Sequence, residues 1–272
     1  MERKDRRYPS SRHCPGEDRN RRQREQGYHD LGGGMVNILA LETSGEVLHL
    51  ALKTDRDFIS HTQTIGRQFS EELVPRLVSL CGEAGLALAD LSLIVCANGP
   101  GSFTGLRIGM AAAKGVALAA GIPLVSLDTM DILAYPLSHS RLPVLCAVDA
   151  KKQRYYCALF KNGKRESNDM DASIPSIADL IDGYDELLVT GPDAQELAAL
   201  LRDEITKRGG KTIFYIDTLR YRNYGESMIF LGKKLLKEEG PDDIGSGPTY
   251  IRKSDAELSL EERDANNIPK EV

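Results

Sequence analysis

Val36-Asn37-Ile38-Leu39-Ala40-Leu41-Glu42-Thr43-Ser44-Gly45-Glu46-Val47-Leu48-His49-Leu50-Ala51-Leu52 is the stretch that separates the two folds the chain could adopt. Its apolar run from Val36 to Leu41 has β character. A turn follows at Thr43-Ser44-Gly45, and Val47 to Leu52 returns as a second strand. Phe58 to Thr64 predicts a third. Strands joined by turns this short pair antiparallel, which a purely parallel sheet does not do.

Downstream, Ser70-Glu71-Glu72-Leu73 predicts a capped helix with an acidic first turn, and apolar residues recur at Leu73, Val74, Leu77, Val78 and Cys81. Leu91 to Ala97 reads as a buried parallel strand. A glycine-rich turn, a helix over 104–120 and a strand over 122–127 complete a βββαβα half with a closing strand. The second half repeats the order: strands at Leu142–Val148 and Tyr155–Phe160, a third after Lys164, and a helix over Ile174–Ile181. Then come a strand at Glu186–Thr190, a helix over Ala194–Lys207, a strand at Thr212–Ile216 and a helix over Glu226–Glu239. The expected fold class is therefore α/β: a duplicated βββαβα, ribonuclease H-like, two-lobed architecture of the actin-like and sugar-kinase-like kind. A doubly wound parallel sheet shares the βαβ rhythm but not the opening hairpins. The expected divisions are an extension at 1–34, lobes at 35–140 and 141–240, and a tail at 241–272.

Residues 1–34 are rich in charge and end in three glycines, too poor in apolar surface to offset the entropy of ordering. Met35 reads as the natural start of the folded part. Beyond Gly34 lie 26 of the 35 basic residues and 34 of the 40 acidic ones, a net charge of −8. A protein that grips phosphate backbones unaided carries a basic face, so contact with nucleic acid is expected only through a partner. Five cysteines without CxxC spacing read as buried thiols of a reducing cytosol. No apolar stretch reaches the length of a membrane span.

Asn98-Gly99-Pro100-Gly101-Ser102-Phe103-Thr104-Gly105-Leu106-Arg107-Ile108-Gly109 follows a strand and opens a helix. Its glycines are spaced GxGxxxG, which fails the dinucleotide fingerprint. Gly210-Lys211-Thr212 has Ile205 where a P-loop requires glycine. Gly105, Gly109, Ala113, Ala117 and Gly121 recur every fourth residue, a stripe almost without side chain. Helical glycines cost stability, and close approach by another backbone would explain them, either the chain's own sheet or a second protein. The projecting Arg107 favours the second protein. The expected interface is Gly105, Arg107, Ile108, Gly109, Ala112, Ala113, Val116 and Ala117, and Gly109→Arg is expected to spare the fold while blocking the partner. Asp149, closing a strand, is the best candidate for cleft chemistry or else a turn cap.

The 99–109 stretch is similar to the signature of the TsaB (YeaZ) family. The opening Ile38–Ser44, Asp149-Ala150-Lys151 with Tyr155-Tyr156, and Pro248-Thr249-Tyr250-Ile251-Arg252 resemble further family features in order. The resemblance implies a cytoplasmic, non-catalytic subunit that pairs with a TsaD-type catalytic paralogue and forms a homodimer when alone. That complex transfers a threonylcarbamoyl group to N6 of adenosine 37 in tRNAs reading ANN codons, and a TsaE-type ATPase joins it. Folds of this class hold a nucleotide between their lobes, and the residues expected along such a cleft are Thr43, Ser44, Ser102, Asp149 and Gly191. No cofactor and no metal are expected, because His49, His61 and His139 lack the paralogue's HxxxH spacing. Glu42 stands where many actin-like ATPases carry Asp, and Lys151 where relatives carry Arg. The competing functions are an independent ATPase or small-molecule kinase, a metallopeptidase, and a homodimeric scaffold without an RNA role.

Overall fold

The computed structural model describes residues 37–64, 69–219 and 222–252. The proposed extension at 1–34, and Cys14 within it, lie outside these, as do residues 253–272 of the C-terminal tail.

Two sheets follow from the hairpins. β1 (Ile38–Glu42), β2 (Val47–Lys53) and β3 (Phe58–Thr64) pair antiparallel, while β4 (Leu93–Gly99) and β5 (Leu124–Asp128) continue parallel from β1, in the order β3-β2-β1-β4-β5. In the second sheet β6 (Val144–Asp149) takes the place of β1. It pairs antiparallel with β7 (Arg154–Lys161) and parallel with β10 (Glu186–Thr190), which pairs with β11 (Ile213–Ile216). The third strand expected after Lys164 is split. β8 (Lys164–Arg165) and β9 (Met170–Ser173) both pair with β7, because Glu166 and Ser167 turn back to the Leu159 carbonyl between them. The two sheets share one connectivity, the two-lobed actin-like arrangement.

Alternation along the strands assigns the layers. Leu39, Leu41, Leu48, Leu50 and Leu52 share one face of the first sheet, covered by α1 (Phe69–Glu83) and α2 (Phe103–Ala120). The helix α1 begins one residue before Ser70, so Ser70 sits in its first turn. On the opposite face Ala51 and Val95 abut Gly225 and Gly232 of α6 (Gly225–Glu239). That helix, although last in sequence and placed by its position with the second lobe, therefore packs on the first sheet. The short α3 (Thr129–Ala134) touches strands of both sheets and α6, with Tyr135 stacked on Phe230 at 4.9 Å. The outer face of the second sheet is covered by α4 (Ile174–Leu180) and α5 (Ala194–Lys207) around Leu145, Tyr155, Leu187 and Leu201. Cys81, Cys96, Cys146 and Cys157 are buried free thiols.

Candidate functional site

The glycine motif is packed against the first hairpin turn. Ser102 caps α2, its hydroxyl accepting from Gly105 N, while Ser102 N donates to Ser44 O at 2.6 Å. The Thr43 hydroxyl donates to the Gly105 carbonyl at 2.9 Å. A Cβ at Gly105 would stand 2.1 Å from Thr43 O, and one at Gly109 would stand 2.1 Å from Thr43 Oγ1. These glycines exist so that the helix can lie on the turn after β1. Ala113, Val116 and Ala117 continue the same buried face.

This corrects the expected interface. Gly105, Gly109, Ala113, Val116 and Ala117 are enclosed by their own lobe, and Gly109→Arg would drive a long side chain into Thr43. Ile108 and Ala112 are half-buried against the core. Arg107 alone of the eight is exposed, and it continues along Ala111, Gly115 and Leu118, the outward face at helical spacing. Leu118 is 68% exposed, a Cβ at Gly115 would meet nothing within 4 Å, and α1 alongside exposes Val74 and Val78. The repeat of small residues concealed this stripe, since it drew attention to the inner face.

Between the sheets lies a cleft of about 1030 Å³, lined by the turn at Ser44, the start of α2, α3, the β6–β7 turn and Tyr224. Of the five residues expected there, Ser44, Ser102 and Asp149 line it. Thr43 is turned into the helix contact, and Gly191 (φ 122°) is pressed against the Ala147 carbonyl, leaving Pro192 and Asp193 on the wall. Asp149 acts as a turn cap: its carboxylate accepts from Lys151 N at 2.7 Å and from Lys151 Nζ at 2.8 Å. Lys151, Lys152 and Gln153 take positive φ in the turn it holds. Thr129 and Tyr224 also line the cleft, with no sequence signal to mark them. The Thr129 hydroxyl is buried without a partner among the described residues.

The charge lining this cleft is predominantly acidic. Among the described residues the lining holds five acids, Glu42, Glu46, Asp149, Asp193 and Glu196, against two cations, Lys151 and Arg252. Lys151 is paired with Asp149, and Arg252 with Asp171. Burial pushes the Glu42 carboxyl up, although its hydrogen bond from Ser44 N at 2.5 Å opposes this. Burial pushes His49 down to about 4. The 4.0 Å contact between His49 and Glu42 is therefore no ion pair near neutrality. Among the described residues no three His, Cys, Asp or Glu side chains come together as metal ligands.

The profile of the family described as "TsaD: tRNA N6-adenosine threonylcarbamoyltransferase" matches residues 59–240. The Bacillus subtilis tRNA threonylcarbamoyladenosine biosynthesis protein TsaB is 31% identical over 230 residues, 82% of this chain and 96% of that one. The Escherichia coli TsaB is 30% identical over 128 residues, 46% of this chain and 55% of the relative. The solved structure of YeaZ from Pseudomonas aeruginosa superposes with a TM-score of 0.64, covering 80% of this chain and all of that one at 22% identity, a likeness of fold. With the glycine motif, the paired hairpin sheets and the near-complete alignment to TsaB in agreement, the chain belongs to the TsaB (YeaZ) family.

Proposed function

We propose that the chain is the non-catalytic partner subunit of the machinery that places threonylcarbamoyl on N6 of adenosine 37 in tRNAs reading ANN codons. It binds a TsaD-type paralogue through the outward face of α2. The observation that carries this reading is the stripe Arg107, Ala111, Gly115 and Leu118. A helix this well packed on its inner side has no internal use for exposed apolar and glycine positions on the other. The relatives named for threonylcarbamoyladenosine biosynthesis supply the reaction. The excess of acid over base supports contact with tRNA through the complex rather than directly. The same face would hold two copies together when the paralogue is absent, and a TsaE-type ATPase would complete the assembly.

The test is transfer from threonylcarbamoyl-adenylate to tRNA, with release of AMP, by the TsaD-type and TsaE-type proteins of the same organism supplied with ATP, with and without this chain. Activity that needs the chain, while the chain alone is inert, is the expected result. Full activity in its absence would remove the reading.

A further inference from the structure

After α6 the chain forms a strap that starts on the first sheet and ends on the second. Asp242 closes the β5 edge, its N–H donating to Leu124 O at 2.9 Å and its carboxylate accepting from Ser126 N at 2.8 Å. Lys114 of α2 donates to Ser246 O. Thr249 N reaches Asn98 O at 2.9 Å and Asn98 Oδ1 at 3.0 Å, and the Asn98 amide returns to Thr249 Oγ1 at 3.1 Å. Arg252 then grips Asp171 of β9 with two hydrogen bonds of 2.7 and 2.8 Å, and donates to Ala150 O at 2.9 Å. Burial alone would raise the Asp171 carboxyl, but hydrogen bonds from Arg252 and Arg154 leave it below its ordinary value.

Between these anchors Tyr250 lies against the first turn of α2. Its ring sits 4.7 Å from that of Phe103, and its hydroxyl accepts from Arg107 Nε at 3.1 Å. The Arg107 guanidinium is also 4.0 Å above the Phe103 ring. An exposed arginine ordinarily loses much rotamer freedom on docking. Here the loss is met before any partner arrives, which is preorganisation. Arginine is among the residue types that dominate binding at interfaces.

We propose that Tyr250 is a positioning residue: it fixes Arg107 in the orientation that a carboxylate of the TsaD-type partner meets, and the Arg252–Asp171 anchor fixes Tyr250. This rests on the docking reading of α2 given above. It makes the strength of docking on the first lobe depend on a contact with the second.

The experiment is a double-mutant cycle on the full chain, titrating the TsaD-type protein of the same organism and reading Kd. Tyr250→Phe keeps the ring stack and removes the acceptor, and is expected to weaken binding about fivefold. Arg107→Ala should weaken it about tenfold or more, and the double variant no further than Arg107→Ala alone. Arg252→Lys, which cannot make the two-pronged contact with Asp171, should resemble Tyr250→Phe and likewise lose its effect without Arg107. If Tyr250→Phe binds as the wild type does, or weakens binding equally with and without Arg107, the positioning role is overturned while docking stands. If the wild-type chain does not bind at all, the docking reading falls and this inference with it.

Discussion

Gly109 and Gly115 look alike in sequence, both mid-helix glycines at a cost of about 1 kcal/mol relative to alanine. Their surroundings are opposite. A methyl at Gly109 would overlap Thr43 Oγ1, whereas one at Gly115 meets open space. Gly109→Ala should therefore destabilise the chain by about 1–3 kcal/mol, while Gly115→Ala should stabilise it by about 0.5–1 kcal/mol. Urea unfolding of the two variants beside the wild type checks both signs. His49 gives a second prediction at this scale. Burial lowers it from 6.5 to about 4, so between those values the unfolded chain binds a proton that the folded chain excludes. The stability from neutral His49 is complete above pH 6.5 and is lost as pH falls toward 4, by about 3 kcal/mol at most. The nearby Glu42, held up by burial, slopes the other way, so the difference between variants isolates the histidine. From pH 4.5 to 6.5 the unfolding free energy of His49→Gln should rise less with pH than that of the wild type, or fall, because the opposing slope of Glu42 is then left uncompensated.

At the scale of the element, α2 presents two different sides. Its inner stripe packs on Thr43 and the core, and its outer stripe carries Arg107, Ala111, Gly115 and Leu118. Leu118→Glu places a charge on the outer stripe without touching the inner one. Its thermal midpoint should match the wild type, while its affinity for the TsaD-type partner should fall at least about tenfold, as removal of an interface anchor does. Calorimetry and a binding titration on one preparation decide it. The small-residue period was plain in the sequence, and so was the helix that carries it. Which side faces inward was not, because a glycine stripe permits close approach by any backbone, internal or foreign. Thr43, five strand and turn residues from Ile38, is what occupies it.

Across the whole molecule the sheets are joined by polar clamps as well as by α3. Arg165 of β8 donates to Asp128 and Asp131, each at 2.8 Å, at the start of α3, and also to Asp169. One cation thus serves three carboxylates. Burial, followed by the hydrogen bond with Asp169, pushes the Asp128 carboxyl up, which relieves the excess negative charge. Arg165→Met leaves those carboxylates facing one another and should cost about 2 kcal/mol or more. Arg165→Lys should recover part of the loss in the same thermal unfolding series.

Hydrophobic period and turn chemistry are local properties that residues carry with them, so most elements, their order and the duplication were legible in the chain, while α3 and the splitting of the strand after Lys164 were not. The hairpin within Ile38–Leu52, the helix over 104–120 and the helix over Ala194–Lys207 were legible for that reason. Ser44, Ser102 and Asp149 could be placed near the cleft because they end strands or begin a helix at the same edge. Packing in three dimensions set what no local pattern carries: α6 crosses to the first sheet, Thr43 fills the glycine stripe and Gly191 is pressed on Ala147. It alone brought Tyr250 to Arg107, 143 positions away. Such contacts join residues far apart in the chain, and they depend on which faces the packed sheets leave available.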